Sequence, residues 1–337
     1  MKRILHVTEC FAGGVKRAIE ARVDVAVTHE HHLLFAGTET VDTESAWSSV
    51  TPMPTGHVHA VAAIRSAVKK LRPDIVHAHS SWAGFHTRLL ALPCPVVYEP
   101  HCFKFDDPNL SPLLGWAFRA AERVLARRTA AFGTLSTHEA RLAQSIAPGI
   151  SSVRLENTPS IVGVPSDPTI GRQRSSVVMV GRLARQKDPH YFVSTVREIR
   201  RRDSTLRAVW VGDGEAHYRR MLEDEGIEVT GWVGSDEVRE RLRDAVYVHC
   251  AAYEGLPLTI LDAAAADAPI VARAIPSICD LPIVMESTPD TLAEAACRLS
   301  SPGPRQRAAL RGNERIRRAY NVEKLGESLN RLYEVAA

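Results

Sequence analysis

The chain has 337 residues, of which 45% are hydrophobic and 24% charged, the composition of a water-soluble folded protein of about two domains. Its 42 Lys and Arg stand against 39 Asp and Glu, a net charge of only +3, which excludes a dedicated nucleic-acid binder. No run approaches the roughly 18–20 apolar residues of a membrane span, and the opening MKRILHVTECFAGG is interrupted by His6 too early for a secretion signal.

Short apolar or β-branched runs mark strands at Arg3–Thr8, Val23–Val27, Ile75–His79, Val96–Glu99, Ala131–Leu135 and Val153–Glu156. Helical spacing fills His57–Leu71, Pro112–Arg128 and Thr137–Ile146, the last opened by Ser136 with Glu139 three residues on, a capping box. After Asn157 the stretch TPSIVGVPSDPTIGRQRSS keeps neither period and reads as a linker. Alternation then restarts: strand Val177–Gly181, helix Pro189–Arg202, strand Leu206–Val211, helix Glu215–Glu225, strand Val246–Cys250, helix Pro257–Asp267 and strand Ile270–Arg273. Strands separated by single helices predict parallel sheets with helices on both faces.

The expected architecture is therefore α/β, with two Rossmann-like doubly wound domains facing each other across a cleft. The boundaries are 1–160 for the first domain, 161–176 for the linker, 177–318 for the second domain, and 319–337 for a C-terminal helix crossing back to the first. Ligands of open α/β sheets bind beyond the carboxyl ends of the strands, so the post-strand loops carry the candidate chemistry.

Three loops stand out. Cys10–Arg17, CFAGGVKR, places Gly13 and Gly14 between a strand and a helix, where backbone can approach an anion closely. The loop from Gly181 displays Arg182 and Lys187 before Asp188-Pro189 starts a helix; the two cations could clamp a diphosphate, or could simply face water. The run Tyr253-Glu254-Gly255-Leu256-Pro257 opens another helix, with Glu254 and Asp262 as carboxylates flanking a helix start suited to phosphate. Such carboxylates suit sugar hydroxyls, or else are a capping Glu and an exposed Asp.

In order along the chain, Y-E-P-H, G-R-L-x-x-x-K, V-G-D-G-E, G-W-V, and E-G-L-P with an acid eight residues after its Glu resemble glycosyltransferase family 4, bacterial type. The resemblance runs from Ile4 to about Tyr333 and is most specific between Val177 and Ala272. It implies the GT-B fold, a first domain for the acceptor, a second for a nucleotide-sugar, and transfer with retention. Arg182 and Lys187 are then expected on the donor diphosphate, Glu254 on the donor sugar and Asp262 on the ribose. Gly231, Trp232 and Val233 are expected along the base. Gly181, Gly255, Leu256 and Pro257 border the donor, Gly13 and Gly14 approach its phosphate, and His101 stands near the reacting sugar. Three departures accompany it. Asp262 replaces the usual Glu, Cys102 stands where Gly commonly follows the motif His, and AIPSICDLPIVMES lacks a Gly-rich stretch.

Fourteen histidines, including His77/His79 and His29, His31 and His32, raise the question of a metal, but no helical H-E-x-x-H pair is present. No catalytic metal and no other cofactor is expected, since the basic pair and helix ends can neutralise a leaving diphosphate. The six cysteines form no C-x-x-C pair, which suits a reducing compartment. The expectation is a cytoplasmic hexosyl- or related transferase acting on a hydroxyl acceptor in a surface polysaccharide, glycolipid or natural product. It has no nucleic-acid partner, and its Arg-bearing Pro112–Arg128 is either packed on the first sheet or laid on the inner membrane face. The alternatives are a sugar-nucleotide epimerase or hydrolase of the same fold, or a non-catalytic sugar-nucleotide binder.

Overall fold

A computed structural model describes residues 1–37, 41, 46–161 and 171–337. They form two compact units, Met1–Thr158 with Asn321–Ala337, and Pro159–Tyr320. In the first unit, β1 (Arg3–Thr8), α1 (Gly13–Val25), β2 (Glu30–Phe35), β3 (Trp47–Pro52), α2 (His57–Leu71), β4 (Ile75–His79) and α3 (Ser81–Arg88) follow one another. They are succeeded by β5 (Val96–Glu99), α4 (Pro112–Ala126), β6 (Ala131–Thr134), α5 (Thr137–Ile146) and β7 (Ser151–Arg154). The strands make one seven-stranded sheet of order β3-β2-β1-β4-β5-β6-β7, parallel throughout. The order reverses direction between β1 and β4, the switch point at which such sheets bind ligands.

The second unit runs β8 (Ser176–Val180), α6 (Pro189–Arg202), β9 (Arg207–Val211), α7 (Ala216–Asp224), β10 (Glu228–Val229), α8 (Ser235–Arg243) and β11 (Ala245–His249). It continues with α9 (Leu258–Ala265), β12 (Ile270–Arg273), β13 (Val284–Glu286), α10 (Pro289–Ser300) and α11 (Pro304–Ala319). Its six parallel strands are ordered β10-β9-β8-β11-β12-β13, with the switch point between β8 and β11. The last helix, α12 (Val322–Val335), packs on α1, β6 and β7 of the first unit. Local chemistry sets the helix starts: the Asp188 side chain accepts from Tyr191 N at 3.1 Å with Pro189 in the first turn, and Ser136 accepts from Glu139 N at 3.2 Å.

The two faces of the first sheet differ. Leu5, Val7, Val76, Ala78 and Tyr98 point to one side and pack with Ile64 and Val68 of α2, Ala83 of α3 and Ile146 of α5 in an apolar core. On the other side, under α1 and α12, successive alternate positions are His31 on β2, His6 on β1, His77 and His79 on β4 and Glu99 on β5, all buried. The strand alternation that makes one face greasy therefore makes the opposite face ionisable.

The run Val23–Val27 is not a strand. Ile19 and Val23 lie one turn apart on the buried side of α1, and the strand is the histidine-bearing Glu30–Phe35. The expected linker 161–176 falls partly on residues 162–170, outside the described residues. Its described end is tied down: Arg172 N donates to Gln306 Oε1 at 2.8 Å and Arg174 N to Ser300 O at 2.7 Å, both within the second unit.

Candidate functional site

At the switch point of the second unit two strand-to-helix loops are fastened together. β8 ends at Gly181, whose φ of 151° leaves the Lys187 stem against bare backbone; a Cβ there would come within 3.2 Å of Lys187 Cε. Lys187 reaches across to Glu254, on the loop after β11, in a partly buried ion pair. Gln186 closes the seam. Its Nε2 donates to Glu254 Oε2 at 3.2 Å and to Tyr253 O at 3.1 Å, while its backbone carbonyl accepts from Ala252 N at 2.9 Å. Gly255, Leu256 and Pro257 are buried behind Glu254 and lead into α9. Arg182 on the same loop is exposed, with no hydrogen bond or ion pair to any described residue. The loop thus presents Lys187 in an ion pair, Arg182 and Arg185 exposed and in no ion pair among the described residues, and a helix start, an arrangement that attracts anions.

The other sequence-selected residues of this unit border it unevenly. Gly212 approaches Gly181 so closely that a Cβ would lie 2.2 Å from Gly181 O, and it bridges to Gly231. This brings the Gly231-Trp232-Val233 segment next to the β8 loop, with the Trp232 ring 68% exposed. Asp262, by contrast, is 1% exposed on α9. Its carboxylate accepts from Ser160 N at 2.6 Å and from Ser160 Oγ at 2.9 Å on both oxygens. Three further groups escape sequence reading: Gln186, Ser160, and Arg273, which pairs with Asp188 Oδ2 at 2.7 Å. Burial, reinforced by Lys187, holds His249 at the end of β11 neutral.

In the first unit, Gly13 and Gly14 are exposed in the first turn of α1, and Gly13 at φ 52° has open space around it. His101 follows β5 in a left-handed backbone, φ 51°, and so does Cys102, φ 97°. Cys102 N donates to Glu139 Oε1 and Leu135 N to Glu139 Oε2, each at 2.7 Å. Burial pushes the Glu139 carboxyl up to about 7 against those two bonds.

Behind His101 lies a row of imidazoles. His31 Nε2 is 3.0 Å from Ala26 O, His31 Nδ1 3.0 Å from His6 Nε2, His6 Nδ1 3.0 Å from His79 Nε2, and His79 Nδ1 3.2 Å from His101 Nε2. Burial holds His6 and His79 neutral and lowers His101 to about 4, opposed there by Glu99. Burial alone raises a carboxyl, but Glu99 receives Arg22 Nε at 2.8 Å and Nη2 on its other oxygen, which hold it well below the usual carboxylate range. His6, His77 and His79, and likewise His79, Glu99 and His101, bring candidate metal-ligating atoms within 4.8 Å of one another. His6, His79 and His101 turn these nitrogens on each other and Glu99 turns its oxygens on a guanidinium, while His77 bonds to Tyr333 through Nδ1 and leaves Nε2 without a hydrogen bond among the described residues. The sequence showed His77 and His79 at alternate positions of one strand; only strand register shows that His6 and His31 join them.

The fold and the sequence converge on one class. Residues 7–156 match the family described as a glycosyl transferase 4-like domain, and residues 174–301 match glycosyl transferases group 1. The chain is a glycosyltransferase of the GT-B fold. It is 21% identical over 301 residues, 82% of each chain, to an uncharacterised protein in the cps region of Klebsiella pneumoniae. It is 28% identical over 230 residues to the UDP-Gal:alpha-D-GlcNAc-diphosphoundecaprenol alpha-1,3-galactosyltransferase of Escherichia coli, covering 60% of this chain and 58% of that one. The crystal structure of Anabaena HepE in complex with UDP and glucose superposes with a TM-score of 0.80 at 14% identity, covering 98% of this chain and 99% of the other.

Proposed function

We propose that the protein transfers a sugar from a nucleotide-sugar to a hydroxyl acceptor with retention of configuration and without a metal ion. The observation that carries this reading is the seam at the second unit's switch point: Lys187 paired with Glu254 beside the start of α9, with Arg182 exposed on the same loop. In this reading the donor diphosphate lies over the α9 start, Arg182 and Lys187 stabilise it as it departs, and Glu254 contacts the sugar. Trp232 covers the base and Asp262 holds the ribose. Attack comes from the face of the leaving group, whose phosphate oxygen takes the acceptor proton as the acceptor O–H and sugar–phosphate bonds break and the new C–O bond forms. The similarity to a galactosyltransferase acting on a lipid-linked sugar and to a protein in a cps region supports a surface glycan or glycolipid acceptor.

No helix among the described residues is long and apolar enough to cross a membrane. Leu113, Leu114, Trp116 and Val124 are exposed on α4, with Arg123 exposed on the same helix and Arg127 exposed just past its end, which supports peripheral contact of a cytoplasmic enzyme with an anionic inner leaflet. The deciding experiment is a thermal-shift screen of nucleotide-sugars. A ligand at 100 times its Kd stabilises by about 2.7 kcal/mol. Product analysis with and without hydroxyl acceptors, before and after a chelator, follows. Donor turnover that ignores every acceptor makes the protein a hydrolase or epimerase, binding without turnover makes it a sensor, and chelator-sensitive activity removes the metal-free mechanism.

A further inference from the structure

The transfer chemistry leaves unused the imidazole row on the polar face of the first sheet. We propose that His31, His6, His79 and His101 form one proton relay, in which four neutral rings fill four hydrogen bonds with their four N–H groups and leave His101 Nδ1 as the open end. The count follows from the ends. At one end Ala26 O, 3.0 Å from His31 Nε2, can only accept. At the other, His101 Nδ1 makes no hydrogen bond to a described residue and faces Glu99, which lies 3.5 Å from it and 3.6 Å from His79 Nδ1. Between them lie the three nitrogen-to-nitrogen contacts of 3.0, 3.0 and 3.2 Å. A neutral imidazole carries one N–H, so four rings supply the four protons that these four hydrogen bonds need.

Ala26 O can only accept, so the tautomers, assigned from the network, run from the carbonyl outward. His31 donates from Nε2 to Ala26 O, His6 from Nε2 to His31, His79 from Nε2 to His6, and His101 from Nε2 to His79. His101 Nδ1 is left with a lone pair facing Glu99 and is the entry point for the fifth proton. When it is protonated, His101 Nε2–H can pass to His79 Nδ1, His79 Nε2–H to His6 Nδ1, and His6 Nε2–H to His31 Nδ1. Three rings each gain an Nδ1–H bond and lose an Nε2–H bond; His31 ends with both, and the charge has crossed to it.

The surroundings favour holding the row neutral until it is protonated. Arg22 from α1 neutralises Glu99, and Asn157 accepts from Arg22 at 3.2 Å. His77 from β4 lies 3.0 Å from the Tyr333 hydroxyl of α12 and 3.3 Å from Glu99. Trp47 from β3 presents its edge to His6 at 5.5 Å. His29 and His32 flank His31, and Glu139 from α5 holds the His101 loop through Cys102 N. The low proton affinity of buried His101, about 4, agrees with uptake on the acid side of neutrality. The count holds whatever sugar the enzyme transfers, so failure of the transferase reading leaves it standing.

Side-chain 15N spectroscopy of the full chain tests it. From pH 8 downward all four rings are expected as neutral Nε2–H tautomers that shift together on uptake of a single proton. In His31→Phe the His6 Nε2–H loses its acceptor, and His6, His79 and His101 are expected to switch to Nδ1–H, which keeps both remaining nitrogen-to-nitrogen bonds and turns the His101 N–H toward Glu99, two intervening rings away from the substitution. Rings that titrate separately, a His101 tautomer indifferent to His31→Phe, or zinc recovered in stoichiometric amount with the purified protein overturns the relay. Should His31→Phe not fold, the parental titration decides alone.

Discussion

Lys187 and Glu254 hold each other across the two loops that follow β8 and β11, adjacent strands at the switch point of the second sheet. Their side chains are only 16% and 10% exposed, so water screens the pair little. Any anion that recruits Lys187 must share it with Glu254, while Arg182 is exposed and in no ion pair among the described residues.

The two cations should therefore respond differently to removal. Arg182→Ala is expected to lower kcat by roughly 10²–10³, the usual cost of losing a charge contact in the transition state, with no change in Tm, because its side chain is exposed and unpaired. Lys187→Ala should lower kcat comparably and also lower Tm, because Glu254 is left buried without its partner. Steady-state kinetics beside thermal melts separate them; near-parental kcat in both places the donor elsewhere.

Asp262 carries two competing demands. As a ribose acceptor its loss should raise donor KM roughly 10- to 100-fold, the worth of a charged hydrogen bond of about 1.5–3 kcal/mol, and leave kcat nearly unchanged. As the acceptor of Ser160 N and Oγ, its loss should also lower Tm. Ser160→Ala removes only the hydroxyl bonds and should leave donor KM within a factor of about three. Donor titration of both variants decides. Asp262→Ala with a lower Tm and a parental KM would make this carboxylate an anchor for the start of the second unit and nothing more.

The strand-and-helix alternation was legible because the strands of these parallel sheets are short apolar runs and several helices carry clear starts, Asp188-Pro189 and Ser136 among them. It failed at Val23–Val27, where an apolar helix end imitates a strand, and at Glu30–Phe35, where His31 and His32 hide a strand whose other residues are apolar. The Lys187 and Glu254 loops were legible as candidates from their glycines and charges. Their pairing was not, because it depends on β8 and β11 being neighbours, which crossover order decides. Ser160 gave no signal at all. The histidine row is long-range throughout: nothing near His31 in the chain reveals His6 or His79.

Glu139 predicts a pH dependence of stability. Its carboxyl is raised from 4.5 to about 7 in the folded chain, so the folded state binds more protons than the unfolded one between those values. Stability from this group is full below about 4.5 and is lost as pH rises through about 7, by on the order of 3 kcal/mol. His101, lowered to about 4, acts oppositely, adding stability as pH rises from 4 toward 6.5. Comparing the parent with Glu139→Gln isolates the first effect: the variant should gain on the parent as pH rises from 4.5 to 8. Denaturant melts whose difference is flat across that window would assign Glu139 an ordinary titration.

Cys102 predicts a gain in stability from a substitution in a loop. Its φ of 97° is a left-handed conformation natural to glycine, and a side chain held there costs on the order of 1–3 kcal/mol. The loop is over-determined around it, since Cys102 N is clamped by Glu139 at 2.7 Å. Cys102→Gly removes the steric cost and returns part of it as added freedom of the unfolded chain, about 0.4–1 kcal/mol, leaving a net stabilisation of about 1 kcal/mol. Cys102→Ala keeps a Cβ in the same backbone and is not expected to stabilise. The pair of variants therefore separates backbone strain from the chemistry of the thiol. Chemical denaturation should show a higher midpoint with an unchanged slope for Cys102→Gly alone; equal midpoints for the glycine and alanine variants would mean that the sulfur, and not the backbone, sets the stability of this turn.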